Sequence, residues 1–600
     1  MGVQVKIKQG QEQITKQVEA NTSLLDIISA SKMELESYCG GRGVCGKCRA
    51  ILQPAPPVKE QEEKILTAEE IEEGIRLACL HSVKEDLTVE IEEGGDISIL
   101  AGEEEVSSQV QNGWHRHYFE LEQPSLEDQR SYLTRVLQQY DFENANYRAI
   151  KDLEKRREEE NLVVLSKGNK VMRMGSADEL DRALGIAVDI GTTTVVIYML
   201  DLETGRQLTV ESFYNPQKEL GADVISRIQS AREKEEGWKK MQQLLLDKIN
   251  ETLKEMVQDL VADMDDIYRA VFAGNTVMLH GFLGVSSEDI ANSPFAPMFT
   301  EQLNLRPQSV GLDIFQQGEV VVMPAISGYI GGDIVADMLA VDLDGEEDYN
   351  LLVDIGTNGE VALGNKEKIY SCSVAAGPSF EGGNIKEGMA ALPGAVDSFE
   401  IAEDEFSYST IASEKPRGIC GSGLLDLVAG LLQIGVINES GAFADADKMP
   451  SFWANKYTRI DDVGQIKLFS QEETNVGRPI FFSQKDVRQL QLAKGAIRAG
   501  IEILIQEADI KTESLTNVYL VGGFANYLDK EHACEIGMIP PVLSDRINQA
   551  GNGAGAGARM MMLNKNLRKK ARELRAKTKY LELSTSMKFQ EEFTEQMAFS

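Results

Sequence analysis

Cysteine is scarce in this sequence, with seven in 600 residues, which excludes a disulfide-rich secreted scaffold. Long apolar runs are also missing, since no stretch reaches the roughly 18 residues of a membrane helix and the polar start lacks the apolar core of a secretory signal. Positive charge is in short supply, with 61 Lys and Arg against 96 Asp and Glu and a formal net charge of -35. This imbalance disfavours nucleic acid and anionic membranes as partners. We expect a cytoplasmic protein whose partner is another protein.

The length requires more than one domain, because chains usually split beyond about 250 to 300 residues. A composition of 42% hydrophobic and 26% charged residues is that of ordinary globular protein. Changes in texture predict a small β-rich domain over residues 1–95, an acidic linker over 96–112 and a charged middle domain over 113–183. The remainder, 184–600, alternates buried strands with helical patterns. The middle domain contains no recognisable chemical motif.

Four of the seven cysteines crowd into the first 80 residues, which indicates a metal site. Cys39, Cys45 and Cys48 have the spacing C-x5-C-x2-C, and Cys79 follows 30 residues later. Plant-type ferredoxins use C-x4-C-x2-C and a remote fourth cysteine, so this loop is one residue longer. Glycines between these cysteines let the backbone wrap closely around inorganic sulfide. The pattern predicts a 2Fe-2S cluster on all four thiolates.

Two other interpretations of these cysteines remain open. A structural zinc site would prefer two separated C-x2-C pairs. A redox dithiol at Cys45 and Cys48 would prefer a βαβ setting, which this segment does not show. The remaining cysteines are expected to be small buried apolar residues, and two histidines without cysteine or histidine partners nearby are expected at the surface. These residues are Cys372, Cys420, Cys534, His115 and His117.

Two glycine-threonine turns each join a pair of apolar strands. Residues 188–192 and 353–357 are identical pentapeptides, Val-Asp-Ile-Gly-Thr, which indicates an internal duplication. Glycine turns and threonine hydroxyls donate to phosphate, and a carboxylate holds a metal ion or its water. One such turn would resemble an ordinary β-turn, but two of them followed by the strand and glycine pair of residues 518–523 predict a nucleotide site.

This order of elements resembles the actin, sugar-kinase and heat-shock chaperone ATPase superfamily. The resemblance implies that Asp189 and Asp354 position phosphates and Mg²⁺-bound water, and that Gly522 and Gly523 pack against adenosine. Asp333 falls where the superfamily places a helix near the phosphates, although a helix N-cap is an equal alternative. The other candidate nucleotide-binding residues are Gly191, Thr192, Thr193, Thr194, Gly356, Thr357, Asn358, Gly377 and Phe524.

Several further segments are less specific. The glycine segments 376–383 and 418–423 are expected near the nucleotide cleft. The string Gly-Asn-Gly-Ala-Gly-Ala-Gly at 551–557 contains part of a dinucleotide-binding pattern, but no strand clearly precedes it, which disfavours a Rossmann fold. The last 35 residues or so, with the basic run 567–572, are expected to form one terminal helix.

The whole architecture resembles the reductive activators of corrinoid proteins. The resemblance rests on the four cysteines, the two phosphate hairpins and the segments 215–217, 221–227, 376–378 and 418–423. It implies an N-terminal β-grasp 2Fe-2S ferredoxin domain, a linker, a middle domain and a C-terminal α/β actin-like ATPase domain with duplicated subdomains. It also implies ATP, Mg²⁺ and a 2Fe-2S cluster as cofactors, and ATP-dependent reduction of Co(II) corrinoid to Co(I).

The partners that this resemblance implies are a corrinoid protein of a methyltransferase system, an upstream low-potential reductant and a second copy of the chain in a homodimer. Two other functions remain open. One is an ATP-dependent electron donor to another metalloenzyme such as a radical dehydratase, although those activators use a cluster shared between subunits. The other is a redox sensor in which the cluster state gates nucleotide binding.

Overall fold

The computed structural model describes residues 2–9, 12–29, 31, 35, 48–66, 68–91, 110–221, 223–356, 358–460 and 462–599. Three candidate site residues, Cys39, Cys45 and Thr357, lie outside the described residues, as does most of the predicted linker. Within the described ranges, every helix is too short or too polar to cross a membrane.

The amino-terminal region is a five-stranded mixed sheet in the order β2-β1-β5-β3-β4. Its elements are β1 (Gly2–Gln9), β2 (Glu12–Glu19), α1 (Leu24–Ser29), β3 (Arg49–Gln53), α2 (Glu60–Glu63), α3 (Ala68–Glu72), β4 (Ile75–Leu77) and β5 (Leu87–Ile91). The alternation predicted for the first and last strands of this region, β1 and β5, is confirmed, because Val5, Ile7 and Val89 are fully buried in one core.

The next region, which the sequence left without a fold, is a four-stranded sheet in the order β6-β8-β9-β7. Its elements are β6 (Trp114–Glu120), α4 (Tyr132–Gln139), β7 (Asn144–Ala145), α5 (Tyr147–Arg156), β8 (Asn161–Lys167) and β9 (Lys170–Gly175). One face packs under its two helices. The other face packs on the following region, where the rings of Trp114 and Tyr268 lie 4.9 Å apart.

The following region is built on a six-stranded sheet in the order β12-β11-β10-β13-β15-β14. The strands are β10 (Leu184–Ile190), β11 (Thr194–Asp201), β12 (Gln207–Tyr214), β13 (Ile267–Gly274), β14 (Leu303–Leu305) and β15 (Glu319–Val322). The helices are α6 (Val224–Glu233), α7 (Gly237–Asp259), α8 (Thr276–Leu283), α9 (Pro307–Val310) and α10 (Gly332–Ala340).

The last region has a second six-stranded sheet, in the order β26-β25-β16-β17-β18-β27, and two three-stranded sheets. The large sheet uses β16 (Asn350–Ile355), β17 (Gly359–Gly364), β18 (Ile369–Val374), β25 (Val518–Val521), β26 (Ile547–Gln549) and β27 (Thr578–Tyr580). The small sheets use β19 (Ala395–Ile401), β20 (Phe406–Thr410), β21 (Gly418–Ile419), β22 (Tyr457–Ile460), β23 (Val463–Phe469) and β24 (Ile480–Ser483). The helices are α11 (Gly421–Gln433), α12 (Ser451–Lys456), α13 (Gln484–Ala508), α14 (Lys530–Glu535), α15 (Gly553–Leu563), α16 (Lys565–Lys577) and α17 (Met587–Glu595).

The two large sheets repeat one topology, which confirms the predicted duplication. Each begins with an antiparallel meander, β10-β11-β12 or β16-β17-β18. Each then adds two parallel strands beside the first strand of the meander, β13 and β15 or β25 and β26. Helices α10 and α15 pack together in the core that joins the two sheets. The carboxyl ends of β10 and β16, where the glycine-threonine turns lie, are therefore related positions in the two halves.

The prediction of one terminal helix is wrong. Helix α16 ends at Lys577, and the next three residues form β27, which pairs in parallel with β18 before α17 begins. The basic run of α16 is held by ion pairs, including those of Arg568 with Glu319 and of Lys570 with Asp344. The Arg568–Glu319 pair attaches the end of the chain to the first large sheet, and the pairing of β27 with β18 attaches it to the second. The sequence pattern alone does not predict these contacts.

Candidate functional site

The backbone carbonyls of the first hairpin turn accept hydrogen bonds from two residues later in the chain, Asn215 and Arg227. Asn215 donates through Nδ2 to the carbonyl of Gly191 at 2.8 Å, and through its backbone N–H to the carbonyl of Thr193 at 2.9 Å. The Arg227 guanidinium donates to the carbonyl of Thr192 at 2.5 Å. Within a trans peptide unit the C=O and N–H point in opposite directions, so the N–H groups of these peptide units point away from Asn215 and Arg227. Such N–H groups are suited to bind phosphate oxygens.

These contacts explain two segments on which the family resemblance rests. Arg227 is 1% exposed and also donates to the carbonyl of Gly221 at 2.8 Å. Burial lowers the pKa of Arg227 to about 10, which leaves it protonated at neutral pH. The Thr192 hydroxyl accepts from Asn275 Nδ2 at 3.0 Å. Residues 215–227 therefore shape the phosphate turn from outside the predicted motif.

The second hairpin differs from the first in its carboxylates. Asp354 at the end of β16 lies opposite Glu360 on β17, whereas Asp189 in the first hairpin lies opposite Val196. The turn is closed by a bond from the N–H of Gly356 to the carbonyl of Asn358 at 3.0 Å. Glu360 is a candidate site residue that the sequence analysis did not name, although its place opposite Asp354 follows from the hairpin register.

The glycine pair after β25 lies beside the second hairpin, as expected of an adenosine segment. Gly522 has φ +101°, and a β-carbon there would lie 2.5 Å from Asp354 Oδ1. A β-carbon at Gly523 would meet no atom within 4 Å, so this backbone faces open space. The rings of Phe524 and Phe380 stack with centroids 5.3 Å apart at the same edge.

A third glycine segment reaches across to the first hairpin. Gly377, with φ +78°, begins a short 3-10 turn at Pro378–Glu381. The Glu381 carboxylate accepts from the Thr193 hydroxyl at 3.4 Å. The two halves of the molecule are therefore in contact through the first hairpin and the segment 376–383. Glu381 is a second residue that the sequence analysis did not name, although it expected this segment near the nucleotide cleft.

Helix α10 contributes two carboxylates one turn apart. Asp333 lies in the first turn, and the N-cap position belongs to Gly331, so the alternative interpretation of Asp333 as the N-cap is wrong. Asp333 Oδ1 accepts from the N–H of Ile334 at 2.8 Å. Asp337 is 1% exposed, and its Oδ2 has no hydrogen-bond partner among the described residues. A buried carboxylate oxygen without a donor is costly unless a cation or a proton compensates it.

The electrostatics of these groups favour a bound cation. Burial raises the pKa of Asp189 to about 6. Burial, and then the charge of Asp189, raises the pKa of Asp333 to about 7. Burial, and then the charges of nearby carboxylates, first that of Asp333, raises the pKa of Asp354 to about 8. Burial and nearby carboxylates also raise the pKa values of Asp337 and Glu360. A divalent cation placed among these groups would reverse the shifts.

The donor set suits a cation that keeps its water. Among the described residues, no three carboxylate, imidazole or thiol groups converge closely enough to ligate a metal ion directly. Mg²⁺ usually retains several waters and binds through one or two carboxylates and the phosphates of its substrate. Asp189, Asp333 and Asp354 therefore fit Mg²⁺ held through water and nucleotide phosphates.

Two of the four predicted cluster ligands, Cys48 and Cys79, lie within the described residues, on neighbouring segments. Cys48 directly precedes β3, and Cys79 lies in a 3-10 turn directly after β4. The N–H of Ala78 donates to the carbonyl of Cys48 at 2.9 Å, which joins the two segments side by side. Cys48 is 1% exposed and Cys79 is half-buried. This adjacency fits one thiolate from a tight loop and a remote thiolate that closes the cage.

A buried carboxylate braces the remote cysteine. Glu62 is fully buried, and its Oε1 accepts from the N–H of Leu77 at 2.7 Å and contacts His81 Nε2 at 2.9 Å. These partners lie on either side of Cys79. Glu62 is a third residue that the sequence analysis did not name, because its contacts with Leu77 and His81 form only when the chain folds.

The expectations for the other cysteines and the histidines have mixed outcomes. Cys372, Cys420 and Cys534 are buried as expected. His115 is exposed, but His117 is half-buried, with its ring 4.8 Å from that of Tyr140. The simple surface assignment of His117 is therefore wrong.

Comparison with known proteins assigns each region to a family. Residues 7–84 match the 2Fe-2S iron-sulfur cluster binding domain. Residues 184–346 match the family described as the RACo middle region, and residues 348–600 match the C-terminal domain of RACo, the ASKHA domain. These matches confirm the predicted fold class, with an N-terminal 2Fe-2S domain and an actin-like ATPase fold.

Similar proteins extend over the full chain. A corrinoid activation enzyme, RamQ of Eubacterium limosum, is 30% identical over 596 residues, which is 96% of each chain. A [Co(II) methylated amine-specific corrinoid protein] reductase of Methanosarcina barkeri is 28% identical over 64% of this chain and 70% of its own. The solved structure of a reductive activator for corrinoid, iron-sulfur protein matches with a TM-score of 0.73 and 31% identity over 99% of this chain and 98% of its own. The chain therefore belongs to the RACo family of reductive activators of corrinoid proteins.

Proposed function

We propose that this chain uses ATP to pass one electron to a corrinoid protein, reducing its Co(II) to the Co(I) form that accepts a methyl group. The observation that carries the proposal is the full-length similarity to corrinoid activators. The chain also has two related hairpins whose half-buried carboxylates, Asp189 and Asp354, lie near enough to interact. A ferredoxin domain does not need an ATPase to carry an electron, and an ATPase does not need a cluster to hydrolyse ATP. The combination of both in one chain is what the proposed function explains.

The ATPase half supports nucleotide binding in three respects. The carbonyls of the turn at 191–193 accept hydrogen bonds from Asn215 and Arg227. In this proposal the N–H groups of the same peptide units, which point the other way, bind phosphate. The glycine pair at 522–523 offers an open backbone for adenosine beside Asp354. A bound Mg²⁺ neutralises phosphate charge, and in this proposal Asp189, Asp333 and Asp354 hold it through water and orient the attacking water.

The electron step requires the four thiolates Cys39, Cys45, Cys48 and Cys79. A bound 2Fe-2S cluster of the plant type supplies one electron near -400 mV. An acceptor about 200 mV more negative would cost about 4.6 kcal/mol, a size that a nucleotide-driven conformational change can offset. Each turnover then needs one electron from an upstream low-potential reductant to restore the reduced cluster.

The domain division and the partners are part of this proposal. Separate sheets within residues 1–95, 113–183 and 184–600 support the division, with residues 96–112 as the linker. A homodimer, a corrinoid protein of a methyltransferase system and a cytoplasmic location complete the proposal. A reducing compartment suits thiolates that must hold iron rather than pair as disulfides.

The proposal is tested by following the visible spectrum of a Co(II) corrinoid protein mixed anaerobically with this protein, a low-potential reductant and ATP. Co(I) should form with ATP and not without it. Absence of Co(I) with every cognate corrinoid protein would exclude the proposed function. ATP-independent formation of Co(I) would exclude its nucleotide-driven part.

A further inference from the structure

Asn552 connects the adenosine side of the cleft to the first phosphate hairpin. It precedes α15, and its Nδ2 donates to Asp189 Oδ2 at 3.0 Å. Its Oδ1 accepts from the N–H of Gly555 at 2.8 Å as the N-cap of the helix. These two residues, Asn552 and Asp189, are 363 positions apart in the chain.

The helix cap decides which way the Asn552 amide faces. The oxygen is committed to the helix N–H, since only an oxygen can accept that bond, so the NH₂ group must face Asp189. The preceding Gly551 accepts at its carbonyl from the N–H of Gly522 at 2.9 Å, which ties this residue to the glycine pair of the adenosine segment. The donor is therefore fixed by the backbone on both sides.

The Asn552 amide is an uncharged donor to the Asp189 carboxylate. Burial disfavours the ionised form of Asp189, while the hydrogen bond from Asn552 favours it. A carboxylate at position 552 would cap the helix equally well but would oppose Asp189 with a like charge. The amide satisfies the cap and the acid together.

We propose that Asn552 is a positioning residue for ATP hydrolysis, which holds the Asp189 carboxylate in one orientation. The role rests on the proposed function, because it acts through Asp189 on the water and metal ion that ATP brings. Through Gly551 and Gly522 it also links that orientation to occupation of the adenosine segment.

The test is Asn552→Asp in the full chain, with ATP hydrolysis measured from pH 5 to pH 9 in the presence of Mg²⁺. The substitution keeps the helix cap, so the melting temperature should stay within a few degrees of wild type. Loss of the donor should lower kcat at pH 7 by about tenfold or more. KM for ATP should change much less, because the substitution alters the position of Asp189 rather than the contacts to the nucleotide.

A matched control is Asn564→Asp, which makes the same chemical change at the N-cap of α16, where Oδ1 accepts from the N–H of Asn566 at 2.9 Å. Its profile should match wild type. The double variant Asp189→Asn with Asn552→Asp exchanges donor and acceptor, and its melting temperature should exceed the value expected by adding the effects of the single variants.

A kcat within twofold of wild type at every pH in Asn552→Asp would overturn the positioning role. Strict additivity of the two substitutions in the melting temperature would overturn it as well. A wild-type protein that hydrolyses ATP without producing Co(I) would overturn the proposed function alone. A wild-type protein that hydrolyses no ATP, with or without corrinoid protein, would overturn both.

Discussion

Gly557 on α15 and Ala336 on α10 are in backbone contact, and a β-carbon at Gly557 would lie 2.1 Å from the carbonyl oxygen of Ala336. The same approach brings Gly553, at the start of α15, against Asp337. The glycine string that resembled part of a dinucleotide-binding pattern is thus a packing surface. It lets the helix that follows Asn552 lie directly on the helix that carries Asp333.

Gly557→Ala should therefore destabilise the protein, because the new methyl group meets backbone rather than a movable side chain. We expect a loss of about 1 to 3 kcal/mol in the free energy of unfolding, measured by denaturant titration. Gly523→Ala is the control, because a β-carbon there meets no atom within 4 Å. It should leave the stability within about 0.5 kcal/mol while weakening ATP binding. Equal stability of the two variants would contradict the packing role of Gly557.

Asp333→Asn should change the pH dependence of stability in the nucleotide-free protein. The pKa of Asp333 is raised to about 7 in the folded state, against about 4 for an unfolded aspartate. The folded state therefore binds this proton more tightly, and the penalty for ionising Asp333 grows as pH rises from about 4 to about 7. The variant should gain more melting temperature over wild type at pH 8 than at pH 5. The opposite trend would show that burial does not disfavour the ionised form of Asp333.

The repeated hairpins and the glycine pair could be predicted because their chemistry is local. A strand, a turn of fixed composition and a second strand follow one another directly in Leu184–Asp201 and again in Asn350–Gly364. The turn residues are dictated by the backbone. The alternation of Val5 and Ile7 identified the first strand for the same reason. Identical pentapeptides then indicated that the two halves share a topology.

The supporting residues could not be predicted in the same way. Asn215, Arg227 and Asn552 act on the first hairpin from segments that only the folded chain brings near it. The four-stranded sheet within the region 113–183 was not predicted, because β8 is buried on both faces and so lacks the alternation of apolar and polar residues. The terminal strand β27 was missed because three residues give no periodicity.

Glu319 should be a strong determinant of stability, since it pairs with three cations from separate elements. Its carboxylate contacts Arg269 at 3.1 Å, Arg568 at 2.8 Å and Lys167 at the end of β8 at 2.9 Å. Arg269 is 1% exposed, so removing the carboxylate leaves a buried charge without its counterion. Glu319→Gln should cost about 3 to 5 kcal/mol in the free energy of unfolding.

The control for this substitution is Glu347→Gln, which breaks the exposed pair with Lys366. It should cost less than about 1 kcal/mol, because solvent screens that pair. Similar costs for the two variants would mean that burial at Glu319 has no energetic consequence.

Cys45→Ser should remove the cluster without affecting the nucleotide site. The visible absorption of the cluster and its electron-transfer activity should be lost, because serine is a poor replacement for a thiolate ligand to iron. ATP binding, measured by calorimetry, should match wild type. Cys534→Ala is the control, because this buried cysteine is outside the predicted ligand set and should leave the cluster spectrum unchanged. Joint loss of cluster and ATP binding in Cys45→Ser would indicate a folding role instead.

The central claim, that ATP drives an electron from this protein to a corrinoid, is tested most directly by stopped-flow absorbance of a cognate Co(II) corrinoid protein. The protein is first reduced anaerobically, freed of excess reductant and then mixed with the corrinoid protein with and without ATP. The account predicts one Co(I) formed per reduced cluster with ATP, and none without it. Equal yields of Co(I) with and without ATP, or no Co(I) in either case, would contradict it.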